Sequence, residues 1–539
     1  MPPLSRRVPR LALVTTLLAA PTAALAYGVW THAIIPVAVL RDFKSTATVP
    51  NIRTEMVAGA TDANTAQFRD WLYRRAAALP DSGVRNAFLR RYPTAAAFDA
   101  AAFKTFLMMN PAAQVLGVDS FEAVYRARSQ GDAAADPTQP YTPGQRVTIA
   151  SALQMGSVYP DLDRRNQDRL YRDGSGRVVL TADGDTVPMD PMTLNWGNLT
   201  GLSSQAAEHM GLNHQPHSSS PGTLTMAPWN FTVAIGFPTD SVESYAEANA
   251  EMYTDLSYVA MLSGLPGSQM LSYLYGGNAL HYIADVGNQI HTTQAGVERI
   301  YTDATWDYWL GRLKTGFGLW GSTPPKTRIA LDILTNYHTL AETLFEVELE
   351  RAWRFDSLGQ RDSISGSMRM VLEDLKAGDP TFKRVLDAVI LRNAQRSWYP
   401  PVGSLIAATL IDSGFEESAQ VYRLIRGLGV SRLHKTGVAV DFDTVPAARV
   451  WSYIGDTANP TVRAQLDTFN VIEGLGLARV RDATTWWWDR YLYYRATQPR
   501  YRSQLTDGLV ARLVRDRLVY LAAADARRDE YVKAHGGLK

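Results

Sequence analysis

Apolar residues recur at helical spacing along most of this chain of 539 residues, and that period constrains it to a mainly α fold. The pattern predicts helices over 68–79, 241–262, 270–286, 327–353 and 368–375, and again over 404–426, 460–480, 484–497 and 504–522. Two stretches interrupt it. Residues 137–144 are rich in Pro, Thr and Gly and read as a loop or linker. Residues 173–201 carry Gly-Ser-Gly, Arg177-Val-Val-Leu180, Asp-Gly and two Pro breaks, which predicts a short hairpin in an irregular insert. No internal repeat is visible. The expected architecture is a multi-helix domain with a loop or hairpin insertion and additional C-terminal helices.

Within that pattern, one segment carries chemistry: His281-Tyr-Ile-Ala-Asp285-Val-Gly-Asn-Gln-Ile-His291. His281 and Asp285 are four apart, so a helix projects them from one face, one turn above the other. Both suit a borderline cation such as zinc. A continuous helix would carry His291 about 1,000° around from His281, to a different side. Gly287-Asn288 offers an exit from the helix first, which puts His291 on a loop facing a neighbouring ion.

Composition narrows the options. The chain has no cysteine, so disulfides and thiolate metal sites are excluded and any metal must be held by His, Asp, Glu or backbone groups. A net charge of +1 argues against a nucleic-acid binder that works through a global basic field. Arg6, Arg7 and Arg10 precede an apolar run from Leu11 to Leu18, and Ala24-Leu25-Ala26 has the form of an A-x-A cleavage site. Residues 1–26 are therefore expected to be a signal peptide, with a secreted or periplasmic mature chain starting at Tyr27. No later stretch approaches 18 unbroken apolar residues, so no transmembrane segment is expected in it.

Other ligand-type residues fall into order around the first segment. A free amino group on Tyr27, with its own carbonyl, can chelate a cation, and His32 follows five residues later. Gly156-Ser-Val-Tyr-Pro-Asp161 offers a carboxylate just after a Pro, and His209 follows in Glu-His-Met. His338-Thr-Leu-Ala-Glu342 repeats the i, i+4 geometry on an independent helix. Taken together these motifs resemble the zinc-dependent phospholipase C and P1/S1 nuclease family. The resemblance runs from Tyr27 to the helix around Glu342 and implies a catalytic domain over 27–400, with inserts near 46–150 and 173–201, leaving 401–539 as a C-terminal helical extension. It implies a multi-helix fold holding three zinc ions. Asp161, His209, His281 and Asp285 would hold one; His291, His338 and Glu342 a second; Tyr27, His32 and a bridging Asp285 the third. Tyr27 stands where family members carry Trp, and His214 is the alternative to His209.

The implied activity is hydrolysis of a phosphodiester by metal-activated water, with Asp161 orienting or deprotonating that water. Gly-Ser-Val-Tyr-Pro-Asp161 and His338-x-x-x-Glu342 resemble the phospholipase C branch, which implies a phospholipid substrate at a membrane surface. The spacing from Tyr27 to His32 resembles the nuclease branch, so a P1/S1-like single-strand nuclease or 3′-nucleotidase, with nucleic acid as substrate, is the alternative. A metal-stabilised, non-catalytic lipid- or partner-binding protein is a second alternative. Leu162 replaces the aromatic residue that helps cage choline in choline-preferring relatives. The run Trp486-Trp-Trp488-Asp-Arg-Tyr491-Leu-Tyr-Tyr494 fits either a lipid-interface belt or packing between helices, and packing is the simpler reading.

Overall fold

The computed structural model describes residues 29–41, 43–46, 48–107, 146–158, 160, 222–226, 231–235, 246–292, 297–302, 329–428 and 457–535. Among these the fold is mainly α, as the periodicity predicts. The helices are α1 (Val29–Leu40), α2 (Asp62–Ala77), α3 (Ser82–Arg91), α4 (Ala100–Leu107), α5 (Ile149–Val158), α6 (Ala246–Ser263) and α7 (Ser268–Gly287). They continue as α8 (Leu334–Ser357), α9 (Gly366–Ala377), α10 (Pro380–Ala394), α11 (Val402–Gly427), α12 (Pro460–Arg495) and α13 (Pro499–His535). None of the described helices is long and apolar enough to cross a membrane.

Helix α7 is the axis of the core. Apart from Gln269, all of its residues are buried, so it is covered on every side rather than on one stripe. Helix α6 reaches it through a tight turn in which Gly264 and Gly267 take left-handed backbone angles, φ +65° and +72°. Ser257 and Ser272 then tie the two helices reciprocally, each hydroxyl donating to the other's carbonyl at 2.7 Å. Helices α5, α6, α11 and α12 pack around α7, and one hydrophobic core runs from Ile34 to Leu521. The helices after residue 400 therefore bury the same core as the helix that carries His281.

The Trp-rich run belongs to that core. Trp487, Trp488, Tyr491 and Tyr494 are fully buried. The Trp487 indole donates to Thr254 Oγ1 at 3.1 Å, and the Trp488 and Tyr491 rings stack with centroids 5.1 Å apart. Gly276 makes room for Trp487, since a methyl there would meet the indole. Packing accounts for these four rings, while Trp486 is half-buried and Tyr493 is exposed.

Three predicted spans are corrected. Residues 327–353 do not form one helix: Ile329–Ile333 is a strand, β6, and the helix begins at Leu334. Ile-Ala-Leu-Asp-Ile alternates as a strand does, and it pairs antiparallel with β5 (Val297–Thr302). With β3 (Gly222–Met226) and β4 (Phe231–Ile235) these form a four-stranded sheet in the order β4-β3-β5-β6, which the periodicity did not predict. A two-residue ladder, β1 (Met56–Val57) with β2 (Val147–Thr148), precedes α5. The spans 460–480 and 484–497 are one continuous helix, because Arg481, Asp482 and Ala483 contain no breaker. The hairpin expected at 177–180 and the linker at 137–144 lie outside the described residues.

Candidate metal centre

Three ligand-type side chains from two distant segments meet in the interior. His32 on α1 and His281 and Asp285 on α7 are fully buried, and their ligand atoms all lie within 4.8 Å of one another. Asp285 Oδ1 stands 3.3 Å from His32 Nε2, and Oδ2 stands 3.2 Å from His281 Nε2. The two imidazole rings lie with centroids 4.0 Å apart. The i, i+4 spacing does what the sequence requires of it, putting His281 and Asp285 on one face of one helix. What brings His32 to that face is the packing of α1 and α5 against α7.

Ser157, near the C-terminus of α5, organises both histidines. His281 Nδ1 is 2.8 Å from the Ser157 carbonyl. A carbonyl only accepts, so Nδ1 carries a proton and Nε2 is the ring atom turned toward Asp285. That carbonyl is available because it belongs to the last turn of α5. The Ser157 hydroxyl donates to the His32 carbonyl at 2.8 Å. In an unbroken helix the His32 carbonyl would accept from the N–H of residue 36, but that residue is Pro36 and has no N–H. The Ser157 hydroxyl takes the vacant place.

The close approach of α5 to α7 rests on two glycines. A methyl on Gly156 would overlap the Leu274 carbonyl, and one on Gly277 would overlap the Leu153 carbonyl. Backbone meets backbone at this crossing, which brings the Ser157 carbonyl within reach of the imidazole one turn beyond Gly277.

The donor set fits a divalent ion. Two ligands each about 2.0–2.1 Å from a tetrahedral zinc stand about 3.3–3.4 Å apart, close to the two observed N···O separations. Charge-assisted hydrogen bonds of this type are shorter, about 2.7–2.9 Å. A carbonyl on the far ring nitrogen is also the usual outer partner of a metal-binding histidine. The group can therefore hold one metal ion.

His291 lies just past the end of α7. The helix stops at Gly287, Asn288 turns out with ψ 122°, and Gln289–Thr292 forms a single 3-10 turn rather than the loop expected from the sequence. His291 is fully buried and donates its backbone N–H to the Asn288 carbonyl at 3.0 Å, but it is not one of the three clustered groups. The 3-10 turn is held from the C-terminal side. Gln289 Nε2 donates to the Ile472 carbonyl at 2.7 Å and to Glu417 Oε2 at 3.1 Å. Arg479 grips Glu417 with both terminal nitrogens, at 2.8 and 2.9 Å.

The remaining expected ligands are not brought to the cluster by the described structure. His338 and Glu342 fall four apart on α8, as expected, with side chains outside the described residues. Tyr27, Asp161, His209 and its alternative His214 lie outside the described residues. Ser157, Pro36 and the two crossing glycines are the functional residues that the spacing argument missed. Gly156-Ser157 does stand in the motif that ends at Asp161, which was the available signal.

A second buried polar cluster sits between α6 and α13. Arg512 binds Asp255 through Nε at 2.8 Å and through a second nitrogen, and reaches Glu251 at 2.9 Å. Burial pushes Glu251 up to about 8 despite Arg512, and burial also raises Asp255. These carboxylates border a cavity of about 400 Å³ with Ser404 and Asp516, to which none of the three clustered ligand groups contributes. Compared with family models, curated proteins and solved structures, the chain matches none.

Proposed function

We propose that the protein is an exported, zinc-dependent phosphodiester hydrolase of phospholipase C type, acting on phospholipid at a membrane surface. The observation that carries this reading is Asp285, which presents one carboxylate oxygen to His32 and the other to His281. That geometry suits a carboxylate bridging two ions as well as one closing on a single ion. It supports the three-zinc arrangement in which Asp285 joins the first site to the third, with Tyr27 supplying amine and carbonyl at the third. His291, His338 and Glu342 would hold the second ion, and Asp161 and His209 would complete the first.

Zinc bound here supplies charge neutralisation to phosphate oxygens and acidity to a water molecule. The chain's own residues do the rest. Ser157 fixes the His281 tautomer and ties down His32, so both donors are in place before substrate arrives. Asp161, following Pro160, is the group proposed to orient or deprotonate the attacking water. No Ser or Cys nucleophile is required.

The test is an assay of the full exported chain on phospholipid vesicles, p-nitrophenylphosphorylcholine and single-stranded DNA, each with and without EDTA. The reading predicts phospholipid hydrolysis that EDTA abolishes. Cleavage confined to DNA would move the protein to the nuclease alternative, and EDTA-resistant turnover would sink the metal mechanism.

A further inference from the structure

Glu473, Gly476 and Val480 fall three, four and seven residues apart on α12 and so share one face. That face is pressed against the end of α7. A methyl on Gly476 would meet the Gly287 carbonyl and the Gln289 side-chain amide, and Gly287 itself abuts Val480. Glu473 therefore faces the turn that carries His291. It is 1% exposed, and neither of its carboxylate oxygens has a hydrogen-bond partner among the described residues. The same is true of Gln289 Oε1. The Gln289 nitrogen is committed to Ile472 and Glu417, which leaves that oxygen as an acceptor only. Burial, and after it the nearby Glu417 carboxylate, pushes the Glu473 carboxyl up to about 8, and Glu417 is itself bound by Arg479. Interior acceptor oxygens without a donor are costly, and a cation is the partner that oxygens of this kind accept.

We propose that Glu473 and the side-chain oxygen of Gln289 are protein ligands of a divalent metal ion bound beside His291, adding a carboxylate outside the ligand set read from the sequence. Two oxygen donors and an imidazole suit zinc or a similar borderline ion. The assignment rests on the metal-centre reading proposed above. It also gives α12 a direct part in the site.

The test compares the full chain with Glu473→Gln, which keeps the shape and removes the charge, and Glu473→Leu, which removes the oxygens. Each protein is stripped with chelator, reloaded with ZnCl₂ or CoCl₂, and read by metal-to-protein ratio, chelator competition and the cobalt absorption spectrum. Glu473→Gln is expected to carry one fewer ion, or to hold one ion at least about tenfold more weakly, with an altered cobalt spectrum. Glu473→Leu should show the same loss while its metal-free form melts no lower than the wild type. Unchanged ratio, affinity and spectrum in Glu473→Gln would overturn the assignment of Glu473 alone. So would a Glu473→Leu protein that folds and takes the full metal complement. A wild-type chain that takes up no metal would overturn this assignment together with the reading beneath it.

Discussion

Two of the buried polar clusters among the described residues differ in character. Between α6 and α13, Arg512 donates to Asp255 at 2.8 Å and forms an ion pair with Glu251 at 2.9 Å, and the Ser404 N–H donates to Glu251 at 2.9 Å. Between α1 and α7, the donors are two imidazoles and a carboxylate, spaced at 3.2 and 3.3 Å. The first cluster is closed by its own guanidinium. The second has the groups and the spacing of ligands around an ion. Burial alone does not distinguish a stabilising ion pair from a binding site; donor type and separation do.

The largest effect should come from Asp285→Asn. It is expected to lower phosphodiester hydrolysis by more than about a hundredfold, with zinc lost and the circular dichroism spectrum kept. Wild-type activity in that variant would make the trio another structural cluster. Arg512→Ala should do the reverse. Stranding Asp255 and Glu251 in the interior costs about 3–5 kcal/mol, read by urea unfolding, while the zinc ratio of the folded fraction stays unchanged. Next is Gly277→Ala. Its methyl meets backbone that has no room to swing aside, so about 1–3 kcal/mol of stability and part of the zinc affinity should go together. Loss of stability without loss of zinc affinity would detach the helix crossing from the site.

The Arg512 cluster also predicts a pH dependence. Glu251 sits at about 8 when folded against an ordinary 4.5, with Arg512, Asp255 and Asp516 around it and the Ser404 N–H on one oxygen. A raised carboxyl binds more protons in the folded state. Its contribution is full below about 4.5 and is lost as pH rises toward 8. The slope for one proton is up to about 1.4 kcal/mol per pH unit, and Glu251→Gln should flatten it. A slope unchanged by that substitution would assign the dependence elsewhere. The smallest effect is that of Ser157→Ala, about 1 kcal/mol with a modest fall in zinc affinity. Adding Pro36→Ala, which returns an N–H to the His32 carbonyl, should recover part of both.

The two clusters were unequally legible in the sequence. Helix α7 was readable almost to its ends, 270–286 against Ser268–Gly287, because no proline interrupts it and Gly287-Asn288 ends it. His281 and Asp285 could be paired because a helix alone relates residues four apart. Ser157 could not be read the same way, since it meets His281 from 124 residues away and depends on two glycines at a helix crossing. The Arg512 cluster was invisible for the same reason, with 257 residues between Arg512 and Asp255. Strand β6 was misread because its register comes from β5, not from its own five residues. Local period survives in one dimension; contacts across the core do not.

The central claim is that the trio on α1 and α7 is a metal site, and the most direct measurement is the zinc content of the purified chain beside Asp285→Asn. The account predicts zinc bound to the wild type, lost from the variant, and a wild-type melting temperature that falls when EDTA is added. A metal-free wild type whose melting is indifferent to both zinc and EDTA would contradict it.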